Sequence, residues 1–442
     1  MRKQWKHWLV FLVVLAASPA AAVSADAGAD RGGATLSASD IGVSPTEIRI
    51  AVLADVDNPA APGVFQGSVD AVKGWARFMN RQGGLAGRKV VVDFIDTRLS
   101  ADEARNAIIR ACQEDFAIVG TSALFVNNVD DLVGCRDKAG NPTGLPDFPV
   151  TTTEIVHQCS PVSFAVMGQS LDCSTRDDAP QTYRTVLGPT RYYLERFGDL
   201  HGVFIYPSDL QAAKDAQIPL FRGEQEAGIT ADREFDLSGL AIQSAYTPVA
   251  QQLKESGSTY ARSGLAFNST VALRKEARLQ GASTVKVWDC GLQCYDRRLL
   301  EQGGADLEGQ FVYVPFLPFE DAKANKMLAN YLKFTGRDKA DGFGVSAWSA
   351  GIFFRDVVER VVKEGGEDAL TRAAVLAAAP EVNGFDADGM IGKTDVGERI
   401  PTPCYVLMQV KDGEFVRVHP RKIGTFDCDP RNAMSLELDL VR

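Results

Sequence analysis

The stretch from Ser68 to Glu114, with the short strand that follows it, restricts the fold more than any other part of this chain, because two structural periods alternate there. Val69, Val72, Ala76 and Met79 recur at the three-to-four spacing of one helix face. Gly83 and Gly84 follow, and glycine takes the left-handed backbone that ends a helix without steric strain. Residues 89–96, KVVVDFID, are β-branched and largely apolar, as in a strand buried within a sheet. Ser100 with Glu103 three residues on forms a capping box, and Ala104, Ala107, Ile108, Ala111 and Cys112 give the next helix its apolar face. Residues 116–120 read as another short strand. Helix, strand, helix, strand in this order predicts a parallel, doubly wound α/β unit.

At 442 residues the chain is long enough for two or three domains with real cores. Its formal net charge of -10 argues against a nucleic-acid partner, since phosphate neutralisation needs a basic surface. Arg2, Lys3 and Lys6 precede an apolar run over 9–17 and then small residues, the pattern of a cleaved secretory signal within residues 1–25. That run is short for a membrane span, and no cysteine lies near the cleavage region to carry a lipid. Residues 26–45, rich in Ala, Gly, Asp and Ser, are expected to form a disordered leader. The mature protein is expected in the periplasm or secreted.

The organising stretch also carries a family resemblance. Asn80-x-x-Gly83-Gly84-Leu85-x-Gly87-Arg88-Lys89, with a strand ending in Asp96, follows the strand over 48–53 and precedes Gly120-Thr121-Ser122. This resembles the first lobe of ABC-transporter solute-binding proteins of the branched-chain amino acid type, which have the type I periplasmic binding protein fold. The order of elements matches from about Thr46 to about Val418. The resemblance implies an α/β architecture of two doubly wound parallel-sheet lobes joined by three crossover segments. Lobe I is expected over 46–166 and 317–383, and lobe II over 167–316 and 384–442. It implies a monomeric, cofactor-free binding protein that closes on a small ligand and delivers it to an ABC permease. The alternative is a soluble ligand-sensing module of an extracellular signalling system.

The same resemblance nominates a cleft. Phe65 follows the first strand. Thr121 and Ser122, with Ala123 beside them, stand where relatives hold a ligand carboxylate at a strand end that leads into a helix N-terminus. Ala123, Leu124 and Phe125 depart from the hydroxyl-rich pattern of amino acid binders and point to a bulkier or more apolar ligand. Thr151 and Thr152 end a strand expected over 148–153. From the second lobe, Tyr206, Asn268 and Asp289 close strands, and Asp289 is the candidate acceptor of a ligand ammonium. Helices are expected over 182–196, 212–228 and 271–280, and a strand over 264–267.

Eight cysteines fit an oxidising compartment and allow about 105 pairings. Sequence-local pairing is the expectation: Cys112 with Cys135, Cys159 with Cys173, Cys290 with Cys294, Cys404 with Cys428. The four histidines are scattered, so a structural metal is not expected. Trp348-Ser349-Ala350-Gly351 mimics an esterase elbow, but no buried strand precedes it and only His419 follows as a base. P-loop, dinucleotide and His-Glu-x-x-His patterns are lacking. An enzyme is not expected.

Overall fold

The computed structural model describes residues 36–57, 62–168, 170–209 and 211–440. The segment expected as a signal peptide, 1–25, lies outside them. Residues 36–45, expected as part of a disordered leader, are instead folded. Val43 is buried in the core, Ser39 Oγ donates to the Leu370 carbonyl at 2.5 Å, and Asp40 accepts the Arg372 N–H at 2.7 Å. The apolar side chain and the two polar anchors outweigh the low hydrophobicity of the segment.

Four parallel strands form the first sheet: β1 (Glu47–Ala54), β2 (Lys89–Asp96), β3 (Ala117–Val119) and β4 (Asp147–Phe148), in the order β2-β1-β3-β4. The helix Gln66–Arg81 follows β1 and buries Val69, Val72, Ala76 and Met79. Gly83 and Gly84 after it have φ of +103° and +91°. Ser100 Oγ accepts the Glu103 N–H, which starts the helix Ala101–Glu114. Helix Gly342–Gly365 packs on the first helix through Trp75 and Trp348, both fully buried. Each such side chain contributes roughly 2–3 kcal/mol of transfer free energy. Two glycines permit this packing. A Cβ on Gly351 would lie 2.6 Å from the Trp75 ring, and one on Gly120 2.6 Å from Val72.

A two-stranded antiparallel ribbon joins β5 (Gln181–Val186) to the last strand of the chain. The second sheet contains β6 (His201–Pro207), β7 (Thr230–Leu237), β8 (Tyr260–Ser263), β9 (Val287–Cys290), β10 (Gln310–Val314), β11 (Val406–Lys411) and β12 (Glu414–His419). Its order is β12-β11-β10-β9-β8-β6-β7, parallel except for the β11–β12 hairpin, which adds antiparallel at β10. The last strand, β13 (Ala433–Leu438), is the partner of β5. In both sheets the strand order reverses, beside β1 in the first and between β6 and β8 in the second. Ligands of open α/β sheets sit outside the carboxyl ends of strands at such switch points.

Three crossovers link the sheets near residues 166–168, 315–317 and 390–392. The second and third run together, with Leu317 N–H donating to Met390 O and Gly392 N–H to Pro315 O, both at 2.9 Å. All four sequence-local disulfides are present.

Several expected elements are corrected. Residues 181–186 are a strand, with Gln181, Tyr183 and Thr185 alternately buried, and the helix begins only at Gly188 with Pro189 in its first turn. The strand expected over 264–267 lies earlier, at β8, and Phe267 already opens the helix Phe267–Gln280. Beyond Phe148 the backbone leaves the sheet at Pro149, so Thr151 to Thr153 are irregular. The helix expected after Ser122 is a single turn, Asp130–Val133. Ser349 lies inside Gly342–Gly365 and donates to the Val345 carbonyl at 2.9 Å, so no nucleophile elbow forms.

Candidate ligand site between the lobes

The cleft is built where irregular backbone from the first sheet meets a helix and two strand ends of the second. Thr151, Thr152 and Gln158 face Gln217 and Leu220 of the helix Gln211–Glu226, with Arg262 of β8 and Tyr313 of β10 behind. They enclose about 210 Å³. A second chamber of about 180 Å³ shares Met167, Leu220, Leu292 and Tyr313 with the first. It continues toward the crossovers, where Val166, Pro315 and Ile391 make its wall largely apolar. Thr152 Oγ1 and Gln158 Oε1 are buried in the first chamber's lining without a hydrogen-bond partner among the described residues. Buried polar atoms are rarely left so, because each unmade bond costs about 1–3 kcal/mol.

A disulfide shapes one wall. Cys290 ends β9 and bonds to Cys294, closing a tight loop from which Leu292 and Gln293 reach the chambers. Thr270 Oγ1 lies 3.3 Å from Cys294 Sγ and braces the loop from the second-lobe side.

Behind Tyr313 lies a buried charge network. Arg262 sits 3.2 Å from both Glu224 and Asp289, and its Nη2 donates to Tyr313 Oη at 3.0 Å. Tyr193 donates to Asp289 at 2.7 Å, and Tyr260 Oη lies 2.9 Å from Glu224 and 3.1 Å from Asp289. The phenol shares its one proton between the two carboxyl groups. Burial raises the pKa of Glu224 and Asp289 against the lowering effect of Arg262.

The residues nominated from sequence are spread over this region. Thr151 and Thr152 line the first chamber, whereas the others line neither chamber. Asp289 faces the network, with both oxygens engaged. Thr121 donates to the buried Asp147 at 2.7 Å, and that carboxylate also meets His157 at 2.7 Å and Ser163 at 2.9 Å. Ser122 continues β3 by pairing with Leu53 and Ala54, and its hydroxyl bonds to Ser68 at 2.9 Å. Ala123 is buried in the first-lobe core. Beside this strand end Asp55 accepts the Leu124 N–H at 2.8 Å and, past β2, the Leu99 N–H at 2.7 Å.

Phe65 is buried edge-on to Phe343, with ring centroids 4.7 Å apart. It neighbours an open, charged cavity of about 590 Å³ lined by Asp70, Asp296, Arg298 and Asp341. Tyr206 packs on Phe221 at 4.6 Å, and among the described residues neither its buried hydroxyl nor Asn268 Oδ1 has a hydrogen-bond partner. Sequence reasoning missed Gln158, Gln217, Arg262, Leu292 and Tyr313. The one available signal was the Cys290–Cys294 pair, whose short spacing marks a constrained loop at a strand end.

The family model for periplasmic binding proteins matches residues 47–414. No curated protein matches the chain in sequence. Among solved structures, an ABC transporter substrate-binding protein from Aeropyrum pernix is similar at TM-score 0.66 and 16% identity, over 87% of this chain and 96% of that one. A leucine-binding protein from Thermotoga maritima gives 0.63 and 16%, over 84% and 97%. A fatty acid ABC transporter substrate-binding protein from Thermomonospora curvata gives 0.66 and 15%, over 87% and 97%. With the two-lobed, mostly parallel architecture and the enclosed interlobe chambers, the match over most of its length means that the chain belongs to the periplasmic binding protein family, with the type I fold, and serves in extracytoplasmic solute binding.

Proposed function

We propose that this protein captures a small carboxylate, amide or amino acid in the interlobe cleft and delivers it to an ABC permease. Thr151 and Thr152 are the nominated residues that contact the ligand in this reading, and lobe closure about the three crossovers traps it. The observation that carries the reading is the pair of unpartnered buried atoms, Thr152 Oγ1 and Gln158 Oε1, in a chamber walled by both lobes. A solute with complementary polar groups removes that deficit, and closure excludes water from it. Solved relatives of this fold include leucine-binding and fatty-acid transporter proteins, so an apolar body joined to a carboxylate is compatible with the scaffold. The protein acts as a carrier without turnover in this reading.

Thermal unfolding against amino acids, amides and carboxylic acids tests capture. A ligand at a hundredfold excess over its Kd stabilises the native state by about 2.7 kcal/mol. A raised midpoint that Thr152→Val diminishes supports the reading. A hit unaffected by Thr152→Val, or no hit across a broad metabolite panel, counts against it. Delivery is tested by uptake of the labelled hit into cells with and without the protein.

A further inference from the structure

We infer that the ligand is a monocarboxylic acid with an apolar aliphatic or aromatic body and no ammonium group. The inference rests on the solute-binding reading above and narrows its ligand class. Among the described residues lining the two joined chambers, the charged side chains are Arg184 and Arg262; no carboxylate lines either one. An α-ammonium brought into them meets guanidinium groups and no counter-charge, and burying it unpaired is strongly unfavourable. The carboxyl groups paired with these guanidiniums line neither chamber: Asp289, the nominated ammonium acceptor, and Glu224 are held by Arg262 and by the Tyr193 and Tyr260 hydroxyls, and Asp172 lies 3.1 Å from Arg184.

Past the end of β3 the protein's own Asp55 already accepts the Leu124 N–H at 2.8 Å, as it does the Leu99 N–H beyond β2 at 2.7 Å. In the chambers a ligand carboxylate meets Thr152 Oγ1, which has no partner among the described residues and can donate, and the Arg262–Tyr313 wall, while Gln158 Oε1, which only accepts, is left to water. The rest of the molecule enters the chamber between Val166, Leu220, Leu292, Pro315 and Ile391, where a polar substituent finds few partners.

Matched pairs at one skeleton isolate the ammonium. Isothermal titration at pH 7.5 compares 4-methylpentanoate with leucine and 3-phenylpropanoate with phenylalanine. The desamino acid of at least one pair is expected to bind about tenfold tighter or more than its amino counterpart. Thr152→Val is expected to weaken that acid about tenfold, the loss of one hydrogen bond to a charged group. Leu220→Trp, which fills the shared wall, is expected to abolish 3-phenylpropanoate binding, with circular dichroism of each variant verifying its fold. Equal or tighter binding of the amino acids overturns the inference, as does acid binding untouched by both folded variants. Should neither acid bind while an amino acid or amide does so in a Thr152-dependent way, the inference falls and solute capture stands. Should nothing bind across a broad metabolite panel, both fall.

Discussion

Arg262 Nη1 lies 3.2 Å from Asp289 Oδ2, and each side chain is almost wholly withdrawn from solvent. The same guanidinium meets Glu224 at 3.2 Å and is flanked by the rings of Phe221 and Tyr313. One cation thus stands between two carboxyl groups and the ligand chamber, and the carboxylate at the end of β9 supports the cleft wall from behind. A buried ion pair of this kind is weak evidence for net stability, yet removing one member leaves the other buried and uncompensated.

Asp289→Ala is therefore expected to destabilise the protein by about 3–5 kcal/mol. It leaves Arg262 with Glu224 alone and strips the acceptor from Tyr193. Denaturant unfolding of the oxidised protein measures the loss, and titration at a temperature where the variant is still folded measures affinity. Affinity per folded molecule is expected to change little. Unaltered stability with collapsed affinity would place Asp289 at the ligand instead.

The sheet of the first lobe was legible because its signals are local. Val69 to Met79 mark a helix face, KVVVDFID marks a buried strand, and Ser100 caps the second helix, all within one doubly wound unit. The strand at Gln181–Val186 was hidden because its partner, Ala433–Leu438, lies at the other end of the chain. Thr182 to Val186 are as compatible with a helix start as with a strand until that partner supplies the hydrogen bonds. The chamber was less legible still. Thr151 and Thr152 stood out as hydroxyls at a strand end, but Gln158, Gln217 and Tyr313 come from three separate elements. Nothing in the sequence near Asp55 announced that its carboxylate would cross to accept the Leu124 N–H.

Asp341 makes stability depend on pH. It caps the helix Gly342–Gly365 by accepting the Gly344 N–H at 2.7 Å, and burial, reinforced by Asp296 and Asp70 and opposed by Arg298, raises its pKa to about 7. In the unfolded chain the same group titrates near 4. Between these values the native state binds a proton that the unfolded state has lost. The contribution is thus fully present below about pH 4 and is lost as pH rises through about 7. Asp341→Asn keeps a capping acceptor and removes the titration. Unfolding at pH 5 and pH 8 is expected to show a decline that is roughly 1–3 kcal/mol smaller in the variant. Equal declines would mean that Asp341 is ionised in the native state across this range.

The Cys290–Cys294 bridge positions Leu292 and Gln293 more than it stabilises the fold. With four residues of sequence separation, the chain-entropy contribution is about 2 kcal/mol, less than for the 23-residue separation of Cys112–Cys135. Its loop has two short-range backbone bonds, Cys294 N–H to Gly291 O and Tyr295 N–H to Leu292 O, both 2.9 Å. Replacing both cysteines by serine is expected to release that turn locally while β9 and β10 stay paired. Amide hydrogen exchange reads this directly. The Cys294-position and Tyr295 amides are expected to exchange about tenfold faster or more, with the amides of Val312 and Val314 unchanged. Unchanged exchange at the loop would show that packing of Leu292 and the Thr270 brace hold it without the bridge. Faster exchange throughout both strands would show that the bridge secures the sheet edge as a whole.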